Sequence, residues 1–133
     1  MRLALLSLLL TLSTLSADYI RQPIDQKLVD SKIKIIDIRT PGEWKMTGLV
    51  KGSIPIMFFD EQGKYNMDRF LTELNKNVQK NERFAVICNS GSRSQVLGTY
   101  LGKQLGYNVI DLAGGIQYAI GKKITLEPYT PKP

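Results

Sequence analysis

Histidine is absent from this 133-residue chain, and cysteine and tryptophan occur once each. A Ser-His-Asp hydrolase, a Cys-His protease and a histidine-ligated metal site all need an imidazole, so the sequence excludes these classes. A single cysteine also excludes a Cys-x-x-Cys redox pair, a cysteine-rich zinc site and an intramolecular disulfide. We therefore expect neither a bound metal nor a cystine-stabilised fold.

Basic residues outnumber acidic residues by 18 to 12, which gives a net charge of +6. The lysines and arginines are scattered singly or in pairs, without the basic cluster that is typical of nucleic-acid-binding proteins. We expect no nucleic acid partner, and a modest positive field that favours small anionic substrates. With 43% apolar and 23% charged residues, the composition is that of one globular domain.

The amino terminus has the layout of a secretory signal peptide. Met1-Arg2 precedes a mostly apolar run, Leu3 to Leu15, and the small residues Ser16 and Ala17 follow. The run is shorter than the ~20 residues that span a bilayer. We expect residues 1–17 to be a signal peptide and the protein to be exported to the periplasm, without stable membrane insertion after cleavage. Residues 18–127 are then the folded domain, and residues 128–133 an extended, mobile tail.

Short apolar runs alternate with segments of helical periodicity after the signal peptide. The pattern predicts strands at Ile33–Ile38, Ser53–Phe58, Phe84–Ile87 and Asn108–Leu112, helices at Met67–Val78, Val96–Leu105 and Gly114–Ala119, and a turn at Arg39–Gly42. Strands that alternate with helices favour an α/β domain of three layers, in which a central, mainly parallel sheet is flanked by helices. Ligands bind such sheets at the carboxyl ends of the strands.

Cys88 lies at the end of a predicted strand, before a loop of small residues and the start of a helix. Backbone N–H groups of such a loop and the positive end of the helix dipole both favour a thiolate, and Arg93 adds a positive charge. A nucleophile that is ionised in this way needs no histidine base. Gly91 permits a positive φ, and its small neighbours are expected to leave the sulfur accessible. The alternative is that Cys88 is a buried strand-end residue and that Ser92 or Ser94 is an ordinary helix N-cap.

Four segments together resemble the motifs of a known family. Cys88-Asn89-Ser90-Gly91-Ser92-Arg93-Ser94 is similar to the C-x-x-G-x-R-S active-site loop of single-domain rhodaneses, which are thiosulfate sulfurtransferases. Asp37 to Trp44 resembles the D-x-R-x-x-x-E-aromatic segment of the family, Gly52-Ser53-Ile54 its G-A-I turn, and Gly114-Gly115-Ile116 its G-G-I motif. The chain thus resembles an exported rhodanese over about residues 30 to 120.

The resemblance implies a rhodanese-like fold and a role for each matched residue. Cys88 would be the catalytic nucleophile, and the substrate-binding loop would consist of Asn89, Ser90, Gly91, Ser92, Arg93 and Ser94. Asp37, Arg39 and Glu43 would form one structural network that braces the fold, and Trp44 would belong to the core. A Cys88 persulfide would carry sulfur from thiosulfate or polysulfide to cyanide, a thiol or an acceptor protein, without a cofactor.

Three other functions are compatible with parts of the sequence. A non-catalytic persulfide carrier would keep Cys88 but turn over free thiosulfate poorly. A phosphatase or arsenate reductase of this architecture would place five residues between cysteine and arginine, whereas four separate Cys88 from Arg93. An inert structural domain would need neither Cys88 nor Arg93.

Overall fold

The computed structural model describes residues 18–133, so the predicted signal peptide lies outside the described residues. The strands are β1 (Asp18–Pro23), β2 (Ile35–Asp37), β3 (Leu49–Val50), β4 (Ile54–Pro55), β5 (Arg83–Ile87), β6 (Asn108–Ala113) and β7 (Leu126–Glu127). The helices are α1 (Gln26–Asp30), α2 (Pro41–Thr47), α3 (Met67–Asn77), α4 (Ser92–Thr99) and α5 (Gly115–Gly121). A π-helical turn, Tyr100–Gln104, continues α4.

Five strands form one sheet in the order β1-β6-β5-β2-β4, and every neighbouring pair is parallel. The short strands β3 and β7 form a separate antiparallel ribbon. The predicted α/β class with a central, mainly parallel sheet is confirmed. Strand β5 lies in the middle of the sheet, so the residue that follows it lies at the centre of the carboxyl edge.

Helices cover both faces of the sheet and complete the three predicted layers. Phe84 and Val86 of β5 pack in one apolar cluster with side chains of α3 and α4. Ala85 and Ile87 pack in a second cluster with side chains of α1 and α5. Both faces of β5 are thus buried from Phe84 to Ile87, which explains why this part of the strand is apolar without interruption.

The predicted elements of the central region agree with the structure to within a few residues. The helix expected at Met67–Val78 is α3, which Asn66 caps and Val78 ends. Pro55 lies in β4 at the edge of the sheet, where the missing N–H of a proline is tolerated.

Five elements were not predicted: β1, α1, α2, β3 and β7. The expected turn at Arg39–Gly42 is instead the start of α2, because Thr40 and Glu43 form a capping box and Pro41 occupies the first helical turn. Strand β1 has no clear strand signal, because exposed and half-buried residues do not alternate regularly along it and it ends in Pro23. Long-range pairing with β6 orders β1.

The carboxyl-terminal segment, residues 128–133, has no regular secondary structure. Its Tyr129 ring packs against Trp44 with 5.3 Å between ring centroids, so the tail is attached to the domain at this point. Within residues 18–133, no helix combines the length and the apolar character needed to cross a membrane.

Candidate functional site

Cys88 follows β5 directly, at the carboxyl end of the central strand. The backbone N–H groups of Gly91 and Ser94 donate to its Sγ at 3.1 Å and 3.4 Å. Helix α4 begins at Ser92, so the positive end of its dipole faces the same loop. The convergence of amides that the sequence predicts is present, and this arrangement stabilises negative charge on sulfur.

Cys88 is wholly buried, with an exposed fraction of 0%. The expectation that small neighbours leave the sulfur accessible is wrong for this conformation, because Cys88 also packs in the apolar cluster between the sheet and helices α3 and α4. Of the predicted substrate-binding residues, Ser90 and Ser92 are exposed and Asn89 is half-buried. A small molecule could therefore reach the sulfur only after groups around the loop move.

The start of α5 holds the Cys88 loop from the opposite side. The Ile116 N–H donates to the Cys88 carbonyl at 2.9 Å, and the Gln117 N–H donates to the Asn89 carbonyl at 3.1 Å. The Gln117 side chain also donates to the Asn89 side-chain oxygen at 3.0 Å. These bonds attach the late Gly114-Gly115-Ile116 segment to the cysteine loop and explain why two distant motifs form one site.

Gly91 is the N-cap of α4 and has a φ of +101°. A Cβ atom at this position would lie 2.9 Å from the Gly114 backbone nitrogen, so a side chain has no room. The positive φ expected for Gly91 is confirmed. Of the alternative interpretation, the burial of Cys88 agrees with the structure, but an N-cap at Ser92 or Ser94 is wrong, because neither side chain caps the helix and both lie within its first turn.

Gly115 allows the close approach of α5 to the cysteine loop, and replacing it with alanine should disrupt the site. Its φ is +59°, and a Cβ atom would overlap the carbonyl oxygens of Cys88 and Asn89. We expect Gly115→Ala to lower the free energy of unfolding by about 3 kcal/mol, measured by urea titration. Gly121→Ala in the same helix is the control, because its Cβ would meet no atom within 4 Å. Equal stability of the two variants would contradict this packing.

Arg93 forms a bidentate ion pair with Glu43. Its Nη1 and Nη2 atoms donate to Oε1 and Oε2 of Glu43, each at 2.7 Å. The Arg93 hydrogen bonds hold the pKa of Glu43 below its usual value, against the opposing effect of partial burial, and Glu43 raises the pKa of Arg93. The Arg93 charge thus lies near Cys88, as predicted, but a carboxylate already neutralises it.

The Glu43–Arg93 pair gives a pH-dependent contribution to stability. Because the pKa of Glu43 is lowered in the folded state, the pair stabilises the fold above about pH 4.5, the usual glutamate value, and its contribution is lost as the pH falls further. Glu43→Gln should cost about 1 kcal/mol in urea unfolding at pH 7 and much less at pH 3.5. Glu73→Gln, which breaks an exposed pair with Lys76, should cost little at either pH. A Glu43→Gln cost that is equal at both pH values would show that the ion pair is not its source.

Asp37 and Arg39 form a second, separate ion pair that is completely buried. The Arg39 Nε and Nη2 atoms donate to the Asp37 carboxylate at 2.8–3.2 Å, and Nη2 also donates to the Gly48 carbonyl at 3.0 Å. The Trp44 Nε1–H donates to Asp37 Oδ1 at 3.1 Å. The predicted single network of Asp37, Arg39 and Glu43 is therefore two networks, because Glu43 turns toward Arg93 and the α2 N-terminus.

Sequence reasoning missed a third buried group of polar residues beside the site. Asp111 in β6 is 0% exposed and accepts hydrogen bonds from Ser94, Tyr19 and Arg21. Tyr19 and Arg21 belong to β1, which was not predicted. An acidic residue inside the apolar run of β6 was the available signal, since a buried carboxylate requires donors.

Among residues 18–133, no three side chains of the types histidine, cysteine, aspartate and glutamate lie in a group that could hold a metal ion. The candidate site therefore consists of the Cys88 loop, its two amide donors and the charged groups that surround it.

Comparisons with known proteins agree with this geometry. The model of the rhodanese-like domain matches residues 16–119. A senescence-associated protein of Raphanus sativus is 27% identical over 93 residues, which are 69% of this chain, and the chain spans about half (51%) of that protein. A rhodanese-related protein of Thermoplasma volcanium has 25% identity and a TM-score of 0.61 over 84% of this chain and 100% of its own. A rhodanese-like domain protein of Staphylococcus aureus has 25% identity and a TM-score of 0.58 over 85% of this chain and 99% of its own. The chain therefore belongs to the rhodanese-like domain family, a sulfurtransferase-type family.

Proposed function

We propose that this protein is a sulfurtransferase that moves a sulfane sulfur from thiosulfate or polysulfide to a thiophilic acceptor through a Cys88 persulfide. The observation that carries the proposal is the pair of N–H groups, from Gly91 and Ser94, that point at Cys88 Sγ beyond the central strand. Membership in the rhodanese-like domain family supports the same class of chemistry.

The first step transfers sulfur from the donor to the enzyme. The Cys88 thiolate attacks the outer sulfur of thiosulfate and forms a new S–S bond, while the bond between the two donor sulfurs breaks and sulfite leaves with its electron pair. The product is a Cys88 persulfide. The amides at the α4 N-terminus stabilise negative charge on the sulfur throughout this step.

The second step transfers the sulfur to the acceptor and regenerates the Cys88 thiolate. Cyanide or a thiolate attacks the outer sulfur of the persulfide, and the Cys88 thiolate leaves. The two steps balance without an external oxidant or reductant, and no metal or organic cofactor takes part. The acceptor in the cell is a thiol or an acceptor protein under this proposal, and cyanide is the assay acceptor.

The surroundings of Arg93 argue against a phosphatase. Four residues separate Cys88 from Arg93, one fewer than phosphatases of this architecture use. Both terminal nitrogens of Arg93 are bound to Glu43, so this guanidinium is not free to bind two oxygens of a phosphoryl group. Arg93 instead braces the loop by linking α4 to α2.

The proposal includes export to the periplasm. It rests on the apolar run of Leu3 to Leu15 after Arg2 and on the small residues at positions 16 and 17. Small sulfur anions are then donors that the positively charged domain attracts. We propose no nucleic acid partner and no stable membrane insertion of the mature domain.

A turnover assay tests the activity. Purified protein should form thiocyanate from cyanide with either thiosulfate or polysulfide as the donor, and should release no phosphate from an aryl phosphate. Uptake of sulfur without thiocyanate formation would indicate that the protein is a persulfide carrier and not an enzyme. Aryl phosphate hydrolysis without sulfur transfer would contradict the proposed reaction class.

A further inference from the structure

The Ser94 hydroxyl lies between the Cys88 sulfur and the Asp111 carboxylate. Its Oγ is 3.5 Å from Cys88 Sγ and 2.6 Å from Asp111 Oδ1, and all three residues are 0% exposed. The Gly91 carbonyl lies 3.2 Å from the same oxygen. A serine hydroxyl has one proton to donate, so only one of these acceptors receives it.

The Asp111 carboxylate is the strongest of the competing acceptors. Its 2.6 Å separation from Ser94 Oγ is typical of a charge-assisted O–H···O⁻ bond, whereas the Gly91 carbonyl is neutral and more distant. With its proton donated to Asp111, Ser94 presents only lone pairs to Cys88. A lone pair accepts from an S–H group and repels a thiolate.

Two donors from β1 hold the other carboxylate oxygen. The Tyr19 hydroxyl and Arg21 Nη1 both donate to Asp111 Oδ2, at 2.7 Å and 2.6 Å. Burial and the bond to Asp111 raise the pKa of Tyr19, so Tyr19 remains a neutral donor. Burial tends to lower the pKa of Arg21, but the Tyr19 and Asp111 interactions raise it overall. Oδ2 is therefore fully engaged, and Oδ1 is the oxygen that faces Ser94.

Ionisable side chains approach the Cys88 site from five elements or their ends. In chain order they are Tyr19, Arg21, Asp37, Arg39, Glu43, Arg93 and Asp111. Arg39 is paired with Asp37, Arg93 with Glu43 and Arg21 with Asp111. The pKa of Arg93 is raised mainly by Glu43 and also by its charge interaction with Cys88, so Arg93 still favours the thiolate. The groups nearest the sulfur are two N–H groups, which favour the thiolate, and one hydroxyl oxygen, which favours the thiol.

We propose that Asp111 is a positioning residue that orients the Ser94 hydroxyl so that it accepts the Cys88 S–H and holds the resting cysteine as a thiol. Tyr19 and Arg21 fix Asp111 in the required orientation. The inference rests on the proposed function in that Cys88 is the reactive nucleophile. Because thiolates are oxidised faster than thiols, this arrangement protects the idle cysteine and sets the pH at which it becomes nucleophilic.

Asp111→Asn should reverse the orientation of the Ser94 hydroxyl. Since the Arg21 guanidinium can only donate at the Oδ2 position, the amide oxygen takes that place and the amide NH2 faces Ser94 as a donor. Once the sulfur ionises, Ser94 gives its proton to the charged thiolate in preference to the neutral Gly91 carbonyl. We expect the midpoint of thiolate formation, followed by ultraviolet absorbance against pH, to fall by about one pH unit. The single cysteine makes this signal specific, and Cys88→Ser supplies the blank.

Ser94→Ala gives an independent test, because the two possible roles of the Ser94 hydroxyl predict shifts of opposite sign in the midpoint of thiolate formation. If Ser94 accepts from the thiol, its removal lowers the midpoint, and a higher midpoint would overturn the proposal because Ser94 would then be a donor to the thiolate. This variant also carries the test if Asp111→Asn fails to fold, which urea unfolding of each variant reveals.

The double variant separates positioning from direct charge repulsion. In a Ser94→Ala background, Asp111→Asn should produce little further shift, and a full additional shift would contradict an effect through Ser94. Asp18→Asn is the matched control. It removes one negative charge at the amino end of β1, whereas Cys88 lies at the carboxyl edge of the sheet, so it should leave the midpoint unchanged. The titration uses no sulfur donor, so its outcome is independent of whether the proposed sulfur transfer occurs.

Discussion

Cys88→Ser should abolish thiocyanate formation from thiosulfate and cyanide while leaving the fold intact. Serine keeps the approximate shape of the side chain but cannot form a persulfide, so the covalent route is lost. We expect turnover to fall by about a thousandfold or more. The measurement is the initial rate of thiocyanate formation at a saturating concentration of thiosulfate.

Stability is the internal control for this variant. Cys88 packs in the apolar cluster, so the serine hydroxyl will cost some stability, but the protein should still unfold cooperatively in urea. A folded Cys88→Ser protein that retains wild-type turnover would show that another group performs the reaction.

Arg39→Met should cause the largest loss of stability of any single substitution considered. It leaves the Asp37 carboxylate buried with only the Trp44 Nε1–H and one backbone N–H as donors. A buried charge without its partner typically costs about 3–5 kcal/mol. We expect a corresponding fall in the free energy of unfolding, measured by urea titration at pH 7.

Two further variants test the source of this loss. Arg83→Met removes an exposed arginine whose nearest carboxylate, that of Asp18, is 3.7 Å away, and it should cost about 0.5 kcal/mol or less. Adding Asp37→Asn to Arg39→Met should recover part of the lost stability, because the unpaired charge is removed. If Arg39→Met and Arg83→Met were equally stable, the buried pair would not be a major support of the fold.

The central unit of the site could be predicted because its signals are local. The apolar run of β5, the cysteine loop and the helical spacing of α4 are adjacent in sequence, and each follows from side-chain periodicity or glycine geometry. The parallel pairing of β2, β5 and β6 also follows from the alternation of strands with helices. These features place Cys88 at the carboxyl edge of the sheet.

The surroundings of Cys88 could not be predicted in the same way, because they depend on long-range contacts. Tyr19 and Arg21 reach Asp111 across about 90 positions of sequence, through a strand that has no periodic apolar pattern. The division of Glu43 from the Asp37–Arg39 pair depends on how α2 and α4 approach each other. The burial of Cys88 depends in turn on the packing of the loop against α3, α4 and α5.

Intact mass of the purified protein before and after incubation with thiosulfate tests the central claim most directly, since it needs no assumption about the acceptor. The account predicts a gain of one sulfur atom, about 32 Da, that cyanide removes and that Cys88→Ser lacks. Polysulfide should give the same adduct. No adduct with either donor, from a folded protein whose Cys88 still reacts with an alkylating reagent, would contradict the persulfide mechanism.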